Sequence, residues 1–407
     1  MKSRIVILFA LFVFPLCSTA PATPLIVDHN AVAQYAYIPQ QLIDRIKTRW
    51  VDIPGESHSQ GYRAGCQLLQ DLDSRFQVNV VESGTPESYT NTHLRISRAT
   101  WDPPNSWKYS YGEGDWYTSS NGLNETISHL RYCNTNGLAV DIFGFAWCWD
   151  MLWHNFPGGG TDSVYHVRWA GASEGGPDGD QRWGLDADDF SLTGNHVSLD
   201  TYLEATQFYS DFCRSNGYLT KVFFTTGPVD TSWPAEGLYQ AYLKHERIRA
   251  YVKASNREIL FDYADILCWG DNGQQSTMTW KDFNGITHTF PVIHPDNLLN
   301  LDGSNGSQNA YHIGQRGALR LAKALWWMLA MSEVPQPTQV IQSNNGSFII
   351  KFDGISNLTY HIEYCDHLTN SIWQTLGSAT ADGQGKFRFT NTPPADCPKR
   401  FYRAVYP

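Results

Sequence analysis

The chain has 407 residues, of which 42% are hydrophobic and 17% are charged, a composition typical of a globular protein with a large core. Its formal net charge of −10 at pH 7 argues against nucleic acid or an anionic membrane surface as a partner. Aromatic residues make up 14% of the chain, which weakly favours a sugar-binding cleft because aromatic rings offer flat apolar faces.

The first residues have the pattern of an export signal. Lys2 and Arg4 precede an apolar run over 5–16, and Ala20-Pro21-Ala22 has the small-x-small pattern of a cleavage site. The run is too short to span a bilayer. We therefore expect a signal peptide over residues 1–22 and a secreted protein, extracellular or periplasmic, that is not inserted in a membrane.

A turn between a strand and a helix is predicted around residue 57. An apolar run starting at Trp50 stops at Pro54-Gly55, and a helical pattern of apolar residues begins just past Ser59. Ser57 therefore lies where the first backbone N–H groups of the helix point at whatever its hydroxyl attacks. This position suits a nucleophile with its oxyanion hole, although a serine in such a turn is more often a helix N-cap.

Strands and helices alternate through the first three quarters of the chain. The predicted strands after residue 57 cover 76–81, 138–145, 221–225 and 258–263, and the predicted helices cover 198–217, 238–254 and 314–331. Long loops are expected over 83–125 and 156–197. Alternation of this kind favours parallel βαβ units, with the site at the carboxyl ends of the strands. We expect a three-layer α/β/α domain with a parallel sheet over residues 23–334.

The composition changes after Val334. Pro335-Gln336-Pro337 is typical of a linker, and residues 338–407 contain short alternating runs separated by turn signals such as Asp382-Gly383. This pattern predicts a small β-sandwich, which has no obvious catalytic set of residues and is expected to be an accessory domain.

A serine nucleophile needs a general base, and His312 is the best candidate. It lies in the loop before the last predicted helix, which is expected at the same edge of the sheet as Ser57. A histidine at the start of a helix also occurs without any catalytic role.

Two short motifs resemble those of the SGNH (GDSL-like) hydrolase superfamily. Gly55-Glu56-Ser57 occupies the place of that family's Gly-Asp-Ser after the first strand, and Asn309-Ala310-Tyr311-His312 occupies the place of its Asp-x-x-His before the last helix. The resemblance covers about residues 25–332 and is strongest to a secreted subgroup with a Gly-Glu-Ser-His-Ser block. It implies a flavodoxin-like sheet and a serine ester hydrolase without cofactor or metal, with Ser57 as nucleophile and His312 as general base.

The oxyanion hole implied by the resemblance consists of the backbone N–H groups of Ser57 and of Gly84, the nearest match to the family's glycine after the second strand. The family's third block, Gly-x-Asn-Asp, is replaced here by Gly144-Phe145-Ala146-Trp147. The side-chain donor Asn is therefore missing, and loss of one such donor typically lowers the rate by about 10²–10³.

The third member of the triad also departs from the family pattern. Asn309 replaces the family's Asp, and an amide cannot stabilise an imidazolium as a carboxylate does. Asp296 and Asp302, in the loop leading to His312, are alternatives for the group that orients the ring.

Other residue groups point to weaker alternatives. Trp147, Trp149, Asp150 and Asp271 fall near predicted strand ends and are expected to line a substrate cleft, where the two carboxylates would be the basis of a glycosidase. The group His288, His294 and Asp296 matches no standard metal site. The acidic residues of 178–189 are interpreted as solvated charge, with Ca²⁺ binding as the alternative.

From these patterns we expect a secreted serine esterase that removes O-acyl groups, in particular acetyl, from a polysaccharide through an acyl-enzyme. Two alternatives remain. One is a non-catalytic glycan-binding protein on a hydrolase scaffold, and the other is a glycosidase that uses Asp150 and Asp271.

Overall fold

The computed structural model of the protein describes most of the chain outside its first 23 residues and the segment 148–198. The described residues are 24–86, 91–102, 104, 106–117, 120–138, 140–147, 199–255, 257–333, 337–342, 346–353, 359–366, 373–383, 386–394 and 400–405. They form two compact units, one ending at Ser332 and the other beginning at Glu333. The predicted signal peptide lies outside the described residues.

The larger unit contains eleven strands and nine helices in its described part. The strands are β1 (Leu25–Val27), β2 (Trp50–Asp52), β3 (Val78–Val81), β4 (Leu94–Ser97), β5 (Thr100–Asp102), β6 (Ser106–Lys108), β7 (Val140–Phe143), β8 (Lys221–Thr225), β9 (Ile259–Phe261), β10 (Thr277–Lys281) and β11 (Thr287–Pro291). The helices are α1 (His29–Gln34), α2 (Gln40–Ile46), α3 (Ser59–Leu72), α4 (Glu113–Trp116), α5 (Ser120–Thr135), α6 (Leu199–Ser215), α7 (Ala235–Ala254), α8 (Tyr263–Cys268) and α9 (Gln315–Glu333).

Seven of these strands form one parallel sheet flanked by helices, in the order β1-β9-β8-β7-β2-β4-β3. The central strands are buried, and β2 is fully so, which accounts for the continuous apolar runs in the sequence. The antiparallel pairs β5–β6 and β10–β11 lie outside this sheet. An α/β unit with a parallel sheet is therefore confirmed.

The predicted elements agree with the structure best where the apolar pattern is uninterrupted. The strand predicted over 221–225 is β8. The strands predicted over 76–81, 138–145 and 258–263 contain β3, β7 and β9, and each prediction is two to four residues longer than the observed strand. The predicted helices correspond to α6, α7 and α9, each within three residues at either end.

The prediction of a long loop over 83–125 is wrong. This segment contains β4, β5, β6, α4 and the start of α5, and β4 lies between β2 and β3 in the sheet. Arg95, in the middle of β4, is buried with its guanidinium 4.7 Å from the ring centroid of Trp50. A buried arginine that packs on an aromatic ring interrupts the apolar run, so the pattern did not indicate a strand.

Four cysteines are buried thiols in helices of the larger unit: Cys66 in α3, Cys133 in α5, Cys213 in α6 and Cys268 in α8. Burial raises the pKa of Cys66 and of Cys213 to about 12. It raises the pKa of Cys268 further.

From Pro337 onward, the described part of the smaller unit is entirely β. Its strands are β12 (Pro337–Gln342), β13 (Phe348–Asp353), β14 (Thr359–Cys365), β15 (Gln374–Thr380), β16 (Lys386–Asn391) and β17 (Phe401–Val405). They form two antiparallel sheets, β12-β13-β16 and β15-β14-β17. Tyr360 of the second sheet stacks on Phe387 of the first at 4.8 Å between ring centroids, so the sheets share an aromatic core. Pro337, the last residue of the predicted linker, begins β12.

No helix among the described residues has the length and hydrophobicity needed to cross a bilayer.

Candidate active site

Ser57 lies in the turn between the carboxyl end of β2 and the start of α3, where it is partly exposed. The turn is attached to the segment after β7, because Glu56 N–H donates to Ala146 O at 3.0 Å and Ala146 N–H donates to Pro54 O at 3.1 Å. Gly55 has φ of +131°, and a Cβ there would lie 2.2 Å from Ala146 O. Only glycine fits this contact, so Gly55 fixes the turn that carries Ser57.

The N-cap of α3 is His58, and its ring makes no capping bond. Ser59 is the first residue of the helix, and its hydroxyl donates to Ile53 O at 2.6 Å. This bond connects the first residue of α3 to Ile53, which directly follows β2, so it spans the turn that contains Ser57.

His58 is buried and its ring contacts that of His312. The two ring centroids are 5.2 Å apart with an angle of 42° between the planes, and the ring of Tyr263 meets His58 edge-on at 6.0 Å. Burial, with a smaller effect from His312, lowers the pKa of His58 to about 3. His58 is therefore neutral at neutral pH, and the turn of Ser57 and the loop of His312 meet through it.

His312 lies in the loop before α9 with φ of +61°. Left-handed backbone is uncommon for any residue with a side chain, and such strained positions concentrate at functional sites. The side chain is half-buried, and burial lowers the pKa of His312. A neutral imidazole at neutral pH can accept a proton, as a general base must.

Gly65 lets α3 approach α9 closely, whereas Gly61, one turn earlier in α3, does not need to be glycine for this contact. A Cβ at Gly65 would lie 1.9 Å from Ala318 O, which no side chain could tolerate. A Cβ at Gly61 would make ordinary contacts with Leu321 and Ile313, at 3.4 and 3.7 Å. The helix that follows Ser57 and the helix that follows His312 are thus in direct backbone contact, which brings the two predicted catalytic residues to the same part of the molecule.

Asn309 stabilises the loop that carries His312. Its Nδ2 donates to Asn300 Oδ1 at 3.0 Å and to Ile313 O at 2.9 Å, and its carbonyl accepts from the backbone N–H of His312 at 2.8 Å. These bonds hold the backbone of the loop around His312. The side-chain amide of Asn309 is thus bonded within the loop.

Asp296 and Asp302, the two other predicted orienting groups, are engaged elsewhere in the same loop. Asp302 is exposed and accepts from the N–H and the hydroxyl of Ser304 at 2.9 and 2.6 Å, which lowers the pKa of Asp302. Asp296 lies 3.6 Å from Nδ1 of His294. The described contacts of the Asp302 carboxylate are thus with Ser304, and that of the Asp296 carboxylate is with His294.

Gly84 is exposed, follows β3, and has a carbonyl that accepts from the hydroxyl of Tyr109 at 3.2 Å. Because β4 lies between β3 and β2, the loop directly beside the turn of Ser57 is the one that begins at Arg98, after β4. The sequence could not indicate this order, since β4 was not predicted.

Of the four residues predicted to line a cleft, the structure describes Trp147 and Asp271. Trp147 is buried against Tyr202, and its indole N–H donates to Thr225 O at 3.3 Å. It lines a narrow pocket together with His58. Asp271 is exposed and bound to Arg320. Trp149 and Asp150 lie outside the described residues.

The two histidines considered for a metal are engaged in hydrogen bonds, one of them with Asp296 of the same group. His288 Nε2 lies 2.9 Å from Asp282, and His294 Nδ1 accepts from the N–H of Asp296 at 3.2 Å. The acidic residues of 178–189 lie outside the described residues.

Within the described part of the chain, one histidine–carboxylate group has ligand atoms within 4.8 Å of one another: Asp28, His29 and Asp265. Asp28 caps α1, and His29 Nδ1 lies 2.6 Å from Asp265, so hydrogen bonds account for this group.

A search of protein-family models finds no match to the chain, and no curated protein is significantly similar to it. The function is therefore inferred from the geometry of the site.

Proposed function

We propose that the larger unit is a serine ester hydrolase in which Ser57 is the nucleophile and His312 the general base. The observation that carries the proposal is the meeting of two separate segments at the carboxyl edge of the parallel sheet. The ring of His312 lies 5.2 Å from that of His58, the residue that follows Ser57 in the turn before α3. Ligand sites in parallel α/β sheets lie at this edge.

In the proposed mechanism, Ser57 Oγ attacks the acyl carbonyl while His312 removes its proton. His312 then returns the proton to the leaving alcohol, and water releases the acyl group from the serine in a second, similar step. Burial lowers the pKa of His312, so the ring is neutral at neutral pH and able to accept a proton, as this role requires.

The oxyanion that forms during the attack needs hydrogen-bond donors. We assign one donor to the backbone N–H of Ser57, beside the positive end of the α3 dipole, and a second to the loops after β3 and β4, of which the first contains Gly84. The side-chain Asn donor is missing, and Asn309 supplies no carboxylate to the imidazolium. We expect a slow esterase because of these two differences from the family pattern, since one missing donor alone lowers the rate by about 10²–10³.

The proposal extends to the substrate and the cellular location. The aromatic content and the export pattern at residues 1–22 favour O-acetyl groups on a polysaccharide outside the cytoplasm. A three-layer, flavodoxin-like arrangement of the larger unit and an accessory β-sandwich made of the smaller one complete the proposal.

The test uses p-nitrophenyl acetate and a fluorophosphonate probe on the wild type, on Ser57→Ala and on Ser128→Ala. Ser128 is a partly exposed serine of α5, bonded only to Asn124 O at 2.8 Å among its described contacts, and is the matched control. We expect labelling and turnover in the wild type and the control, and neither in Ser57→Ala. A wild type as inactive as Ser57→Ala would contradict the acyl-enzyme mechanism, and retained glycan binding would then favour a binding protein.

The glycosidase alternative has less support. The carboxylate of Asp271 is exposed and forms an ion pair with the guanidinium of Arg320, and Asp150 lies outside the described residues, so no pair of facing carboxylates supports it. Release of reducing ends from a polysaccharide, without release of acetate, would favour the glycosidase.

A further inference from the structure

Arg63 is a buried charge that the proposed chemistry does not use. It lies one turn into α3, and only 3% of its side chain is exposed. A guanidinium in such a place is costly unless hydrogen bonds and an opposite charge compensate it. Its position next to the turn of Ser57 therefore calls for a role.

The guanidinium binds both ends of the segment that contains Ser57. Nη1 donates to Ser59 Oγ at 2.5 Å and to Ser59 O at 3.2 Å, after the nucleophile, and lies 3.4 Å from Ile53 O, before it. The hydroxyl of Ser59 in turn donates a hydrogen bond to Ile53 O at 2.6 Å. Three residues thus close a hydrogen-bonded ring around the turn from inside the core.

The other side of the guanidinium connects the turn to the neighbouring loops. Nε of Arg63 donates to Glu82 at 2.5 Å, and the second oxygen of Glu82 lies 3.0 Å from Nε of Arg98. Glu82 directly follows β3 and Arg98 directly follows β4. One carboxylate therefore links the turn of Ser57 to both loops from which the second oxyanion donor is expected.

We propose that Arg63 is a positioning residue that holds Ser57 in register with the loops after β3 and β4, with Glu82 as the connecting carboxylate. The assignment rests on the proposed function, since it concerns the distance between the nucleophile and its oxyanion donors. Arg63 does not touch the substrate. It acts through the backbone of residues 53–59 and through Glu82.

Three variants separate positioning from simple stabilisation of the fold. Arg63→Met removes both sets of bonds, and a misplacement of about 1 Å is expected to slow fluorophosphonate labelling of Ser57 by about a hundredfold. Arg63→Lys keeps the charge, but one ammonium group cannot bind both Ser59 and Glu82. We therefore expect labelling about tenfold slower than in the wild type, which is faster than in Arg63→Met. Glu82→Gln keeps the residue's size at a half-exposed position, and we expect a smaller loss of several-fold.

The control is Arg75→Met. Arg75 is exposed, paired with Asp73 just after the end of α3, and removed from the turn of Ser57. We expect wild-type labelling from it. With p-nitrophenyl acetate, the three test variants should lower kcat and leave KM within about twofold, because positioning of the nucleophile acts on the chemical step. Loss of fold alone would lower the active fraction without this graded order.

Hydrogen–deuterium exchange of residues 53–62 gives a readout that does not depend on activity. Faster exchange in this segment of Arg63→Met, with the wild-type pattern elsewhere in the larger unit, would support the inference even if the wild type proved inactive, in which case the proposed function alone would fail. Labelling rates and exchange equal to the wild type in folded Arg63→Met would overturn it. If Arg63→Met does not fold, the same equality in both Arg63→Lys and Glu82→Gln would overturn it.

Discussion

At the scale of single residues, the site is dominated by two histidines in unusual environments. His312 has left-handed backbone, and His58 is buried with a pKa of about 3. The first could be singled out from the sequence because it precedes the last helix of an α/β pattern. The importance of His58 and Arg63 could not be predicted, since their partners come from Ile53, Glu82 and His312, which are brought together only by the fold.

The buried, neutral state of His58 makes folding depend on pH. Its pKa is about 3 in the folded protein and about 6.5 in an unfolded chain, so between these values the unfolded chain binds a proton that the folded protein excludes. The free energy of unfolding therefore falls as the pH is lowered through this window. We expect His58 to account for about 2 kcal/mol of loss between pH 7 and 5.

Urea unfolding of the wild type and of His58→Gln at pH 7 and pH 5 measures this effect. The variant should lose less stability than the wild type over the same interval. His245 of α7, whose pKa burial also lowers to about 3, remains in both proteins and contributes equally. The control His361→Gln changes the smaller unit and should leave the pH dependence of the larger unit intact. Parallel losses in wild type and His58→Gln would contradict the prediction.

At the scale of elements, the contact between α3 and α9 decides whether Ser57 and His312 can meet. Gly65→Ala would place a methyl group 1.9 Å from Ala318 O, so one helix must move. We expect a loss of stability of about 1–3 kcal/mol together with slower fluorophosphonate labelling, since overpacking at a close contact forces backbone shifts.

Gly61→Ala is the matched control on the same face of the same helix. Its Cβ would lie 3.4 Å from the nearest atom of Leu321, an ordinary contact, and alanine favours a helix over glycine by about 1 kcal/mol. This variant should be as stable as the wild type or slightly more so. Equal urea midpoints and labelling rates for the two variants would show that the contact at Gly65 does not set the geometry of the site.

The elements that the sequence predicted share one property, which is a regular apolar pattern bounded by turn residues. The strands β7 and β8 and the helices α6, α7 and α9 meet this condition. β4 does not, because Arg95 is buried by packing on Trp50, a contact between residues 45 positions apart in sequence. The hairpin β10–β11 did carry a local signal, since the alternating run over 277–281 is followed by the turn residues Asp282 and Gly285.

At the scale of the whole molecule, the chain separates into two compact units at residues 332 and 333. All residues assigned to the proposed chemistry belong to the larger unit. We expect a protein ending at Val334, which retains all of α9, to fold alone and to keep the fluorophosphonate labelling rate of the full chain. Thermal unfolding of both proteins, followed by circular dichroism, checks the fold. Aggregation of the shorter protein, or loss of labelling with a native spectrum, would contradict this prediction.

The four buried thiols of the larger unit have a consequence for how its opening can be observed. Cys66, Cys133, Cys213 and Cys268 are each at most 1% exposed and lie on four different helices. A reagent reaches these thiols only when the surrounding helix moves away, and burial also holds the pKa of Cys66 and Cys213 near 12, so little reactive thiolate forms there in the closed state. Alkylation followed by peptide mapping would therefore time the opening of each helix separately. The four cysteines therefore report on local opening of four helices, and Cys66 in α3 reports on the helix that begins beside Ser57.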